Sequence, residues 1–254
     1  MPALPRFFAL VPCAGAGRRA GPRAGGSAGG SAGESGPKQY ASLAGRTVVA
    51  HTLAALAGVP RIHQTLVVLA PDDAAFEQCV PEFAGWVART GGATRAASVA
   101  AGLRALREHG AGDTDWVLVH DAARCLLQAG WVNRLIDACR DDAVGGLLAL
   151  PLADTLKAAK LEGADERVAA TLDRSAKWLA QTPQMFRLGL LQQALHEGAA
   201  LGMNITDEAS AVEALGLAPR LVPGDLENFK LTWPADFALA ERLLRSRPES
   251  TRSI

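Results

Sequence analysis

Short, continuous apolar runs alternate with helix-spaced segments along the first 150 residues, and that alternation leaves few folds open. The runs at 7–11, 65–70, 86–90, 116–120 and 145–150 mostly lack the polar alternation of a half-exposed strand, so they predict strands covered on both faces. Between them, 47–57, 72–79, 95–108 and 129–140 carry helical spacing. Such a βα rhythm predicts an α/β fold, a doubly wound, mostly parallel sheet with helices on both sides, whose ligands sit at the carboxyl ends of strands. Residues 152–182 are more polar, break the rhythm and predict a protruding arm. Helices resume at 187–200 and 207–215, and a last one starts at Pro234, behind Thr232 as a candidate cap. With 254 residues, 49% of them hydrophobic, the chain can bury a full core, and one domain over 1–254 is expected.

The run Phe7 to Val11 empties into Pro12-Cys13-Ala14-Gly15-Ala16-Gly17-Arg18-Arg19, and a glycine- and serine-rich stretch then ends at Pro37-Lys38-Gln39. Bare backbone N–H groups next to two arginines and a lysine suit a polyphosphate, because glycine lets donors approach and cations neutralise the charge. Residues 20–36 have almost no bulky side chains and predict a flexible loop. Gly15-x-Gly17-x-x-Ala20 also matches the dinucleotide fingerprint, but Gly21-Pro22 opposes an immediate helix and the acid near the required distance, Glu34, sits in the loop. A Rossmann reductase therefore predicts a helix at 17–28 and affinity for NADPH, and neither is expected. No G-K-[ST] follows the glycines, so this is not a Walker loop.

The formal net charge is +0, which supplies no global field for coating nucleic acid. Arg6 and the apolar run after it faintly mimic a signal peptide, but about five apolar residues are fewer than a usual signal core. No segment approaches the length of a membrane span, and Cys13, Cys79, Cys125 and Cys139 lack zinc or disulfide spacing. A soluble cytoplasmic protein with reduced thiols and no second catalytic domain is expected.

At 116–120 the chain delivers His120-Asp121-Ala122-Ala123-Arg124 to a strand end. A carboxylate there suits magnesium between phosphate oxygens, and small neighbours leave room for a ribose; the alternative is a capping aspartate. Gly91-Gly92-x-x-Arg95-x-x-Ser98 offers peptide groups to a pyrimidine edge, or is a plain strand-to-helix turn. His120 reads as a packing residue at the strand end rather than a base.

The strings Pro12-x-Ala14-Gly15-x-Gly17-x-Arg19, Pro37-Lys38-Gln39-Tyr40, Gly92-x-x-Arg95-x-x-Ser98-Val99, Val119 to Arg124, Asp154-Thr155, Asp173-Arg174, Gln181-Thr182-Pro183-Gln184, Thr206 to Ser210 and Asn228-x-Lys230-x-Thr232 occur in this order over nearly the whole chain. As an ordered set they resemble the 2-C-methyl-D-erythritol 4-phosphate cytidylyltransferases. The resemblance implies a Rossmann-like nucleotidyltransferase fold and attack of methylerythritol phosphate on the α-phosphorus of CTP, giving 4-diphosphocytidyl-2-C-methyl-D-erythritol and pyrophosphate. It implies Arg19 and Lys38 as transition-state cations and Asp121 as the ligand of Mg2+. Ala14, Gly15, Gly92, Ser98, Ala122 and Arg124 would serve the nucleotide site. Arg174 and Lys230 would position the acceptor, with Thr155, Thr206 and Thr232 beside them. The arm at 152–182 would cross to a second subunit, so a homodimer is implied. Taken as residues alone, Arg174 also reads as a surface charge, Lys230 as flanking a strand and Thr232 as a cap.

Three positions depart from the family's pattern: the stretch Ala20 to Gly36 is long, Cys125 stands where proline is usual, and Cys13 replaces a smaller residue. The nearest rival is a ribitol 5-phosphate cytidylyltransferase, which shares the chemistry. A non-catalytic nucleotide-binding regulator is the rival from another class.

Overall fold

In a computed structural model, which describes residues 4–15, 37–163 and 165–247, the hub of the sheet is strand β1 (Phe7–Pro12). Its side chains are apolar on both faces: Phe8 and Leu10 enter one core, Ala9 and Val11 the other. A strand of that kind must be covered from both sides. Residues 16–36, and with them Gly17, Arg19 and the expected loop 20–36, lie outside the described residues.

After β1 come a small hairpin of β2 (Ser42–Leu43) and β3 (Arg46–Thr47), then α1 (Val48–Ala57), β4 (Ile62–Val68), α2 (Phe76–Cys79), β5 (Trp86–Ala88), α3 (Arg95–Glu108) and β6 (Trp116–Val119). The second half holds α4 (Ala129–Cys139), β7 (Gly145–Pro151), β8 (Leu156–Glu162), β9 (Asp165–Leu172), β10 (Trp178–Arg187), α5 (Leu188–Ala200), α6 (Glu208–Ala214), β11 (Arg220–Pro223) and α7 (Pro234–Ser246). The central sheet has seven strands in the order β11-β7-β10-β6-β1-β4-β5. Strand β10 alone runs against its neighbours β6 and β7; the other pairings are parallel. Helices α1 and α4 cover one face, and α3, α5 and α6 the other. A third, smaller core joins Cys125, Leu126 and Leu231 to Ala240 of α7.

From β1 the chain steps outward to β4 and β5, then returns to place β6 on the other side of β1. Strand order therefore reverses between β1 and β6, and the carboxyl ends of these two strands open the crevice where a doubly wound sheet takes its ligand. Threonines start two of the helices: Thr47 Oγ1 accepts from Ala50 N, and Thr94 Oγ1 from Ala97 N at 3.0 Å, capping α1 and α3. Among the described residues no helix is long and apolar enough to cross a membrane.

Four expectations change. Only Phe76–Cys79 of the segment 72–79 is helical, because Asp73 Oδ1 accepts from Ala75 N and Phe76 N and closes a turn first. The stretch 152–182 divides: β8 and β9 form an exposed hairpin, whereas Gln181 and Thr182 are buried in β10, inside the central sheet. The four-residue edge strand β11 was not expected from the sequence. Thr232 is not the cap of α7; Asp236 Oδ2 accepts from the backbone N–H of Thr232 and Trp233, while the Thr232 hydroxyl donates to Lys230 O at 3.0 Å.

Gly91 sits where the loops after β1 and β5 touch: a Cβ there would lie 2.2 Å from Ala14 Cβ and 2.6 Å from the Leu69 carbonyl oxygen. Gly130, in the first turn of α4, has nothing within 4 Å of that position. Gly91→Ala is expected to cost about 1–3 kcal/mol through overpacking. Gly130→Ala is expected to stabilise by about 0.5–1 kcal/mol through helix propensity. Urea denaturation of both variants checks the opposite signs.

Candidate active site

Asp121 lies two residues past the end of β6, at the reversal point of the sheet, and its side chain is 11% exposed. Arg95 Nε donates to its Oδ1 at 2.8 Å and Lys230 Nζ to its Oδ2 at 2.8 Å. Arg95 is held in turn by Glu208, whose two oxygens receive the guanidinium at 2.6 and 3.0 Å in a bidentate pair. Glu208 is 1% exposed and opens α6, where Asp207 caps the helix by accepting from Ser210 N at 2.9 Å. Burial pushes the Asp121 carboxyl up, but the Arg95 guanidinium and the Lys230 ammonium outweigh it and hold the group well below the usual carboxylate range. The cluster thus keeps a negative charge at the strand end between two cations, Arg95 at 26% side-chain exposure and the half-exposed Lys230.

The backbone around Asp121 is fastened separately. Thr182 Oγ1 of β10 accepts from Asp121 N at 3.1 Å and meets His120 Nδ1 at 3.0 Å, and His120 Nε2 meets Arg124 O at 3.1 Å. A carbonyl only accepts, so Nε2 carries the proton, and Nδ1 then accepts from the Thr182 hydroxyl. Both nitrogens of the fully buried His120 are used in this way, as befits a packing residue rather than a base. Ala122 O accepts from Thr52 Oγ1 at 2.7 Å and Ala123 O from Leu231 N at 2.9 Å. Arg124 donates to Asn228 O at 2.6 Å and Ala180 O at 3.3 Å, with its Nε 4.0 Å from Asp121 Oδ2.

Lys38 lies in a three-residue 3-10 turn and donates to Thr232 O at 2.7 Å, which brings it beside the segment of Lys230. Gln39 Nε2 donates to Cys13 O at 2.9 Å and to Gly15 O at 3.3 Å, tying the same turn to Ala14 and Gly15 in the loop after β1. Ser98 is buried; its hydroxyl accepts from Gly92 N at 3.1 Å and donates to Thr94 O at 3.0 Å, so it shapes the Gly91-Gly92 turn. Of the expected residues, the structure therefore gathers Ala14, Gly15, Lys38, Asp121, Ala122, Arg124, Lys230 and Thr232 around one crevice, with Gly92 and Ser98 on its β5 side. Thr206 adjoins Asp207 and Glu208, its N–H donating to Ser210 Oγ at 3.1 Å. Arg19 lies outside the described residues. Thr155 and Arg174 sit at the root of the exposed hairpin, where Arg174 donates to Ala153 O; among the described residues neither bonds to the Asp121 cluster.

Sequence reasoning did not single out Arg95, Glu208 or Thr182 as site residues, although each stood inside a quoted string. Their signal is tertiary, since Arg95 and Glu208 are 113 residues apart.

Burial pushes the His120 ring down to about 4, overriding the hydrogen bond to Arg124 O. An unfolded histidine takes up its proton near 6.5, so protonation between these values favours the unfolded chain. Stability in metal-free buffer is expected to fall by about 3 kcal/mol as pH drops from 6.5 to 4. Urea titrations at stepped pH are expected to show this limb flattened in His120→Gln.

The chain matches the IspD family, 2-C-methyl-D-erythritol 4-phosphate cytidylyltransferase, over residues 7–246. It is 57% identical over 244 residues to the bifunctional enzyme IspD/IspF of Albidiferax ferrireducens, covering 96% of this chain and 54% of that protein's length. It is 51% identical over 246 residues to the 2-C-methyl-D-erythritol 4-phosphate cytidylyltransferase of Paraburkholderia xenovorans, covering 96% and 98% of the two chains. A crystal structure of 4-diphosphocytidyl-2C-methyl-D-erythritol synthase superposes with a TM-score of 0.78 at 40% identity, covering 94% of this chain and 98% of the other. A family match over nearly the whole chain and a relative matched along nearly its full length leave one assignment: the chain belongs to the 2-C-methyl-D-erythritol 4-phosphate cytidylyltransferase family.

Proposed function

We propose that this chain transfers the cytidylyl group of CTP to 2-C-methyl-D-erythritol 4-phosphate, releasing pyrophosphate, in isoprenoid biosynthesis. The observation that carries the reading is the convergence of Lys230, Arg95 and Arg124 on Asp121 at the sheet's reversal point, with Lys38 alongside. The acceptor's phosphate is already an anion, so the reaction needs no base. It needs two polyanions held together and the extra charge on phosphorus stabilised, which fixed cations achieve. Lys38 and Arg19 are assigned to the triphosphate, and Lys230, Arg174, Thr155, Thr206 and Thr232 to the acceptor. Ala14, Gly15, Gly92 and Ser98 are assigned to the nucleoside. The reactants' charges would draw Lys230 from Asp121 Oδ2 toward phosphate, freeing one carboxylate oxygen.

Among the described residues no group of three or more His, Cys, Asp or Glu could hold a metal ion. Magnesium commonly takes one or two carboxylates and completes its shell with water and substrate phosphates, so the ionised Asp121 fits an ion that arrives with the nucleotide. Bound there, Mg2+ would neutralise phosphate oxygens.

The hairpin exposes Leu161, Val168 and Leu172, and Trp178 and Leu179 at the start of β10 are exposed beside it. We assign this surface to a homodimer in which Arg174 and Thr155 serve the partner's site. The four unpaired thiols suit a cytoplasmic protein.

The decisive assay is pyrophosphate release with CTP and magnesium, run with methylerythritol phosphate, ribitol 5-phosphate or no acceptor. Release only with methylerythritol phosphate is expected, and Lys230→Ala and Arg19→Ala should each lower kcat/KM by about 10²–10³. Release only with ribitol phosphate would replace the acceptor. CTP binding without turnover would favour the regulator. Sedimentation velocity is expected to give a dimer for the wild type and a monomer for Val168→Asp with Trp178→Ala; a dimer in both would reject the arm as the interface.

A further inference from the structure

The turn that carries Lys38 fully buries none of its three residues, and only Tyr40 packs partly against the core. A single turn of that kind has little stability of its own. Hydrogen bonds on the two residues just after the lysine add to that partial packing. Gln39 Nε2 bridges the carbonyls of Cys13 and Gly15 at 2.9 and 3.3 Å. The Tyr40 hydroxyl donates to Asp73 Oδ2 at 2.6 Å, and Asp73 is itself fixed because Oδ1 accepts from Ala75 N and Phe76 N. The two tethers reach different loops, those after β1 and β4, and both loops lie at the carboxyl edge of the sheet.

We propose that Gln39 is a positioning residue that acts through Lys38: by bridging Cys13 O and Gly15 O it sets the place of the Lys38 Cα, and so the reach of its ammonium toward the triphosphate. The inference rests on the assignment of Lys38 as a triphosphate-facing cation. A lysine side chain is long, flexible and strongly hydrated, so its aim depends on where its backbone is held. Misplacing a catalytic group by about 1 Å can cost about 10²-fold. Tyr40 supports the same turn from the other side.

Gln39→Glu tests this, because it keeps the side chain's size and replaces the donor with an acceptor facing two carbonyls. The four proteins of a double-mutant cycle, wild type, Q39E, K38A and Q39E with K38A, are assayed for kcat and KM with CTP, magnesium and methylerythritol phosphate, alongside thermal melts. Q39E alone is expected to lower kcat about 10- to 100-fold with acceptor KM within about twofold, and to cost less than about threefold once Lys38 is gone. Tyr40→Phe, which removes only the hydroxyl, should show the same dependence on Lys38 at smaller size. Equal losses in both backgrounds, or an unchanged kcat in Q39E, would overturn the inference. A K38A enzyme as fast as wild type would overturn the assignment of Lys38 itself and the inference with it.

Discussion

The site depends on one buried ion cluster, in which Glu208 grips Arg95 and Arg95 grips Asp121. Taking the two carboxylates out of water costs several kcal/mol each, and well-packed apolar residues of similar volume would often hold the helices together as well or better. The cluster is therefore poorly explained as a source of stability. What it gives is a carboxylate that stays ionised at a defined place while almost fully desolvated. Because Glu208 cancels the charge of Arg95, the guanidinium fixes Asp121 without neutralising it, and the half-exposed Lys230 remains the exchangeable partner.

Strand β10 connects this cluster to the fold. A doubly wound sheet built only from parallel strands would put helix-covered apolar residues next to β6; the reversed strand instead brings Gln181, Thr182 and Gln184 there. Each is buried and each has partners: Thr182 takes Asp121 N, Gln181 Nε2 donates to Asp225 O at 2.8 Å, and Gln184 joins Asp207 Oδ2 and Ala209 N at 2.8 Å each. Buried amides satisfied at both ends fix geometry strongly, since breaking either bond leaves a desolvated polar group. The same short string therefore orients the loop of Lys230, the cap of the Glu208 helix and the strand end of Asp121.

That strand is also where the sequence was least legible. The runs 7–11 and 116–120 are read easily because burial on both faces leaves only apolar residues. In β10 the apolar residues Met185 and Phe186 follow two glutamines and a threonine, a composition indistinguishable from a polar arm until the partners are known. Strand β11 is four residues long, too short for any period to show. Asp121 and Lys38 could be named because glycine loops and strand-end charges have local signatures, whereas Lys230 is implied by the family resemblance and by itself reads as flanking a strand. Arg95 and Glu208 could not, because a buried pair separated by 113 residues looks like two surface charges on two helices.

The departures at 125 and 20–36 show how tertiary contacts substitute for local stiffness. A proline after Arg124 would restrict the backbone by its ring; with Cys125 there, the three preceding carbonyls are each taken by a different group, Ala122 O by Thr52, Ala123 O by Leu231 N and Arg124 O by His120. Cys125 itself is 2% exposed in the core that seats α7, where burial raises its thiol to about 12 and leaves it inert. Those external bonds act on the position of residues 122–124, whereas a ring acts on a dihedral angle. The same logic holds at Lys38, whose neighbours Gln39 and Tyr40 are tethered to Cys13 and Gly15 on the near side of residues 16–36 and to Asp73 on the far side. The length of the preceding segment can then vary without moving the cation, as loop-closure entropy rises only slowly with length.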